Sequence, residues 1–175
     1  MLISVVAFIS AFLGFAFKSV WQAFVDIKKG ASQANREKNI ENIEAQLAEF
    51  YWPIYLRLQK DNVVWEKMLD RESDDEEKRK AAYEIDRSIL LPNHKEIVEI
   101  IEKKIHRAHP DQELEKQLLD YLRHTAVYFS LRSAGVTDKD PIAFGEPWPT
   151  ELFSLIEKKT HELQEKYDLL IDRKI

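Results

Sequence analysis

From Leu2 to Phe17 the chain carries no charged residue, and with Lys18 as the single interruption its apolar character continues to Val25. Crossing the hydrocarbon core of a bilayer takes about 20 mostly apolar residues. Leu2–Val25 meets that length, and the Lys18 ammonium can reach toward the headgroups along its alkyl stem. A cleavable signal peptide puts its positive charge before the apolar run, whereas here Lys18, Lys28, Lys29, Arg36 and Lys38 all lie within or after it. The order predicts a retained anchor over residues 1–29, with Trp21 at the inner interface. By the positive-inside tendency the N-terminus then lies outside and residues 30–175 in the cytoplasm, as in a single-pass protein of the cell inner membrane. Ala7, Ala11, Gly14 and Lys18 follow a 4-3-4 spacing and share one helix face. Small residues on such a face favour close helix packing, so a homo-oligomer is expected, with Lys18 directed toward its axis.

Beyond residue 29 the chain is long enough for one domain with its own core, and no Gly/Ser-rich or Pro-rich stretch divides it. Of the 31 acidic and 26 basic residues, only Asp26, Lys18, Lys28 and Lys29 precede Gly30, so the remainder is clearly acidic. That balance disfavours binding of long nucleic acid by a basic surface and leaves room for a local basic pocket. The absence of cysteine excludes disulfides, thiolate nucleophiles and Cys-ligated metals.

Periodicity predicts an all-α domain of about five helices over residues 30–175. Ile40, Ile43, Leu47, Phe50 and Ile54 form a 3-4-3-4 stripe on a helix starting near Gln33–Asn35, separated by Gly30 from the N-terminal segment. Pro53 should kink or restart it. Ser73 with Glu76 matches a capping box, the helix it opens should end near Leu91-Pro92, and Asn93 with Glu96 offers the next cap. A turn at His109-Pro110-Asp111 leads to a helix over 112–134 with Leu114, Leu118, Leu122, Ala126 and Phe129 inward and Gly135 at its C-terminal cap. Val136–Pro149 is a structured loop, and the last helix begins near Thr150.

Asp120, His124, Tyr128 and Arg132 are spaced by four on one face of the 112–134 helix, with Arg123 adjacent. Arginine supplies a planar fork for phosphate, histidine a donor, and tyrosine a ring and a hydroxyl, which together suit a nucleotide-like anion. Trp148, in the rigid loop Phe144–Pro149, adds a ring able to stack on a base. The same ladder also fits i,i+4 links to neighbouring helices, and the loop aromatics also fit a plug on the bundle end. His106 with His109, Asp120 with His124, and Glu157 with His161 do not make a zinc motif, so neither metal nor cofactor is expected. There is no Gly-rich phosphate loop and no nucleophile elbow.

These features favour a non-enzymatic sensor or effector that binds an anionic, nucleotide-like ligand such as a cyclic oligonucleotide through Arg123, His124, Tyr128, Arg132 and Trp148, and acts on the membrane. The alternatives are a membrane-tethered scaffold that recruits a protein partner through Tyr51, Trp52, Trp65 and Trp148, and a tethered hydrolase using His94 or His124. In layout, the span Leu2–Val25 followed by a compact helical domain resembles the small membrane effectors of type III CRISPR defence. That resemblance implies a cytosolic domain that binds cyclic oligoadenylate and a role in antiviral defence; no residue motif carries it.

Overall fold

The computed structural model describes the backbone over residues 2–68, at 71 and over 73–172, and the side chains of these residues except 2–17, 19, 20 and 23. Every helix or strand among them is a helix: α1 Leu2–Gln46, α2 Trp52–Met68, α3 Glu76–Ile85, α4 Leu91–Ala108, α5 Gln112–Ser133 and α6 Leu152–Asp172. Two π-helical turns, Leu47–Tyr51 and Asp86–Leu90, and a 3-10 turn, Pro141–Phe144, complete the order. The chain divides into two units, Met1–Asn42 and Ile43–Ile175, and α2 to α6 are the five helices of the second.

Among the described residues no helix is long and apolar enough to cross a membrane. The expected span over Leu2–Val25 and the single-pass inner-membrane location built on it are corrected by that finding. From Lys18 onward the described part of α1 carries Lys18, Gln22, Asp26, Lys28 and Lys29, side chains that hydrocarbon would have to accommodate at high cost. Ala7, Ala11 and Gly14 lie outside the residues whose side chains are described, and Lys18 is exposed. The break expected at Gly30 is also absent, since α1 runs through it. One interior glycine costs a helix about 1 kcal/mol relative to alanine, and good helix formers such as Lys28, Lys29 and Ala31 surround this one. Nothing crowds the position where its Cβ would sit.

Both internal prolines sit just after a widened turn. Pro53 has no N–H to offer the carbonyl one turn back, and the preceding residue, Trp52, bonds five residues back to the Leu47 carbonyl. Pro92 is handled the same way, with the Leu91 N–H on the Asp86 carbonyl, so the expected helix end there becomes a π turn leading into α4. Each widened turn rotates the residues after it relative to those before it.

The core collects Ile43, Leu47, Phe50, Ile54 and Leu58 from the first stripe with Ile97 and Ile101 of α4, Leu114 and Leu118 of α5, and Leu152 and Ile156 of α6. Burying each such side chain contributes about 1.5–3 kcal/mol. Tyr51 is fully buried and donates its hydroxyl hydrogen to the Ala108 carbonyl at 2.8 Å, tying the first π turn to the end of α4.

The helix ends follow local chemistry. The cap of α3 is Asp75, which accepts from the Glu77 N–H at 2.9 Å, in place of the expected Ser73–Glu76 box. His109 takes a left-handed conformation at φ 46° and Asp111 caps α5 by accepting from Leu114, as the His-Pro-Asp turn predicts. Gly135, at φ 76°, ends α5 in a Schellman pattern, with Val136 N–H on the Leu131 carbonyl and Gly135 N–H on that of Arg132.

Candidate ligand cavity

The buried stripes of the second unit contain polar residues, and the fold directs them toward one another. On α2 the inward series Ile54, Leu58 continues to Asp61; before α4 it reads Ala82, Asp86, Leu90; on α5 it reads Leu118, Tyr121, Thr125, Tyr128. Around their meeting point lies a cavity of about 320 Å³. Asp61, Asn62 and Trp65 come to it from α2, Arg71 from the link to α3, Asp86 and Leu90 from the second π turn, and His94 from α4. His124 and Tyr128 come from α5, and Asp140, Pro141, Ile142 and Trp148 from the α5–α6 connection.

One side is an ionic cluster in which Arg71 Nε is buried without a hydrogen-bond partner. Asp86 Oδ1 accepts from Arg71 Nη2 at 2.7 Å and from the Tyr128 hydroxyl at 2.5 Å, and its Oδ2 accepts from Arg132 Nε at 2.7 Å. Asp140 joins through Arg71 Nη1 at 2.8 Å and Arg132 Nη2 at 3.3 Å. Arg132 Nη1 also donates to the carbonyls of Val136 and Lys139, so this guanidinium closes the loop after α5. Burial pushes the Tyr128 phenol up, and the Asp86 carboxylate it donates to pushes it further. Burial opposes the Arg132 charge, yet the attraction and hydrogen bond of Asp86 outweigh it and hold that charge firmly.

The other side is incompletely paired. Asp61 Oδ1 accepts from Asn93 Nδ2 at 2.6 Å, while Oδ2 is buried with no hydrogen-bond partner. His94 Nδ1 lies 3.5 Å from that oxygen but only 2.8 Å from the Tyr121 hydroxyl. Burial pushes the Tyr121 phenol far above its ordinary range, so its hydroxyl keeps its hydrogen and pairs with His94 Nδ1 as donor or acceptor according to the ring tautomer. Burial lowers His94 to about 4, with nearby His124 adding to the effect, and raises Asp61 to about 7 against the opposing pull of Asn93 and Lys60. The 3.5 Å approach is thus not an ion pair, because burial drives both groups toward neutrality.

His124 Nδ1 lies 2.9 Å from the Glu146 carbonyl, which only accepts, so Nδ1 carries the hydrogen and Nε2 of the neutral ring is left as an acceptor. Desolvation lowers the His124 pKa despite that bond. The Trp148 ring stands edge to face with His124 at 5.2 Å and with Tyr121 at 5.6 Å, and is tilted against His94 at 5.8 Å.

The structure brings His124, Tyr128 and Trp148 to the cavity and puts Arg132 behind its wall. Arg123 is set apart. It is exposed, bridges to Glu146 at 2.8 Å, and shares a shallow open depression with Asp120 and Lys116. The core face of α5 is also rotated from the expected one: Tyr121 and Thr125 are buried, Leu122 and Phe129 half-buried, and Ala126 exposed. Asn93 does not cap a helix but donates from inside α4 to Asp61 and to the Arg57 carbonyl. Of the scaffold aromatics, Tyr51 is buried, Trp52 half-buried against the core and Trp65 exposed, so they do not make one surface. Asp61, Arg71, Asp86 and Tyr121 were missed by the sequence reasoning. Asp61 and Asp86 carried a signal, each being a carboxylate in register with an apolar stripe.

Compared with known proteins, the chain matches no family model, no curated protein and no solved structure. The likeness in layout to CRISPR membrane effectors has no match behind it, and the span that carried it is corrected above.

Proposed function

We propose that the Ile43–Ile175 unit is a non-catalytic small-molecule sensor that takes its ligand into the cavity between α2, α4 and α5. The observation that carries this is a concave site of about 320 Å³ with aromatic walls and a rigid floor, the size and character of a small-ligand pocket. The Asp86 cluster fixes Arg71, Tyr128 and Arg132 before any ligand arrives, which lowers the ordering cost of binding. Among the described residues no serine, threonine, lysine or cysteine lines the cavity, and both of its histidines already hold a structural hydrogen bond. This favours recognition over hydrolysis. An anion-binding version needs a free guanidinium fork, whereas Arg132 directs its Nε and Nη2, and Arg71 both of its Nη atoms, at Asp86 and Asp140, which leaves the single Arg71 Nε unpaired and no two-donor fork. We therefore place the ligand among the aromatic rings and not on the arginines.

The test is a fragment screen on the full chain, with nucleotides, amino acids and aromatic amines in the panel, read by NMR at His124 and Trp148. Small fragments should shift these resonances, and Trp148→Ala should weaken their binding about tenfold or more. If no member of the panel perturbs them in the folded protein, the proposal falls.

A further inference from the structure

We infer that the cavity selects a small organic cation, an ammonium or amidinium carried on a ring or short chain, with Asp61 as its counter-ion. This deepens the sensor proposal and rests on it.

The first support is a charge balance. Arg71 and Arg132 are matched by Asp86 and Asp140 within one cluster, which leaves Asp61 as the lining carboxylate with no guanidinium on it. The second is an unpaired buried carboxylate oxygen. The Asp61 side chain is only 7% exposed, its Oδ2 has no hydrogen-bond partner, and His94 Nδ1, 3.5 Å away, sits closer to the Tyr121 hydroxyl at 2.8 Å. His124 Nε2 adds a second acceptor because the Glu146 carbonyl holds the ring hydrogen on Nδ1. Buried polar atoms are satisfied in nearly all native structures, so an unpaired one at a cavity points to what the cavity receives. The unpaired Asp61 oxygen calls for a ligand that donates hydrogen bonds, and its charge calls for a positive one; Arg71 Nε is also unpaired at the cavity, but on a guanidinium already matched by Asp86 and Asp140.

The third support is the wall. Arg71 lies over the Trp65 ring at 5.6 Å and Arg132 over the Tyr128 ring at 4.8 Å, so cations already pack on rings here. Trp148 is the lining indole that, among the described residues, has no cation of its own. A cation bound at Asp61 and packed on Trp148 would return to its ionised form a carboxyl that burial, against the pull of Asn93 and Lys60, holds at about 7.

Benzamidine and its neutral isostere benzamide serve as probes, titrated into the full chain at pH 8. Benzamidine should bind at least tenfold tighter than benzamide, and Asp61→Asn should bring the two to parity without weakening benzamide. Should that variant fail to fold, the wild type at pH 5.5 gives the same information. Protonation of Asp61 should then cost benzamidine at least tenfold and leave benzamide unchanged, with His94, His124, Tyr128, Asp86, Asp140 and Arg71 being the other titratable groups that line the cavity. Equal binding of the two probes at pH 8, or stronger binding of benzamide, overturns the inference and leaves the sensor proposal standing. If neither probe binds, the inference also falls. The sensor proposal falls with it only if the whole fragment panel is silent.

Discussion

Asp86 and Asp61 are both almost fully buried beside one cavity, at 2% and 5% exposure, yet the fold treats them in opposite ways. Asp86 receives two arginines and a tyrosine, so both of its oxygens are bonded. Asp61 receives one asparagine amide and keeps an orphan oxygen. A buried charge that is fully paired ties elements together, and removing its partner is costly. A buried carboxyl left half-paired is a liability for stability unless something else completes it. The contrast separates a structural carboxylate from one available for recognition.

The comparison breaks most visibly if Asp86 is replaceable. Asp86→Ala leaves Arg132, whose side chain is 6% exposed, without its main counter-charge and should lower the unfolding free energy in urea by about 3–5 kcal/mol. A loss under about 1 kcal/mol would remove the structural role assigned to the cluster. Next in size is Tyr128→Phe, which deletes a hydrogen bond to the Asp86 carboxylate and should cost about 1.5–3 kcal/mol by the same measurement.

Asp61→Asn gives the smallest effect near pH 4, and its sign sharpens the contrast as pH rises. Asp61 has a folded pKa of about 7 against 3.8 as its ordinary value. Its contribution is fully present below pH 4, declines as the unfolded chain releases its proton first, and is lost above pH 7. His94, lowered to about 4, acts in the opposite direction between pH 4 and 6.5, so the wild type is buffered there. The asparagine variant lacks the Asp61 part and should become more stable than wild type from pH 4 to 7, with the difference level above that. Urea unfolding midpoints across this range check it, and a variant less stable than wild type at pH 8 contradicts the assignment.

Much of the helical frame was legible in the chain. The stripe Ile43–Ile54, the His109–Asp111 turn, Gly135 as a left-handed cap and the start of the last helix rest on interactions within a few residues, which spacing reveals. The two π turns were half legible. Pro53 and Pro92 announce a disturbance, but continuing the helix through a bond five residues back depends on core packing on either side. The α5 face was assigned to Leu122 and Ala126, which spacing alone allowed, whereas contacts with α4, α6 and the 141–148 segment select Tyr121, Thr125 and Tyr128. For the site, His124 and Tyr128 are legible as polar and aromatic residues at helical spacing on α5, and Trp148 as an aromatic in a proline-rich loop. Arg132 reads with them as an anion-binding group, and only its neighbours reveal that it is committed to Asp86.

By itself the sequence determined the helical class, the limits of α5, the start of α6 and the polar residues set into apolar stripes, because each depends on the 3.6-residue repeat and on chemistry within one turn. Tertiary structure alone decided that Asp86 meets Arg132 and Arg71 while Asp61 meets only Asn93. The partners are distant along the chain, and the angle at which helices cross, not the spacing within any one of them, determines which side chains come within hydrogen-bonding reach.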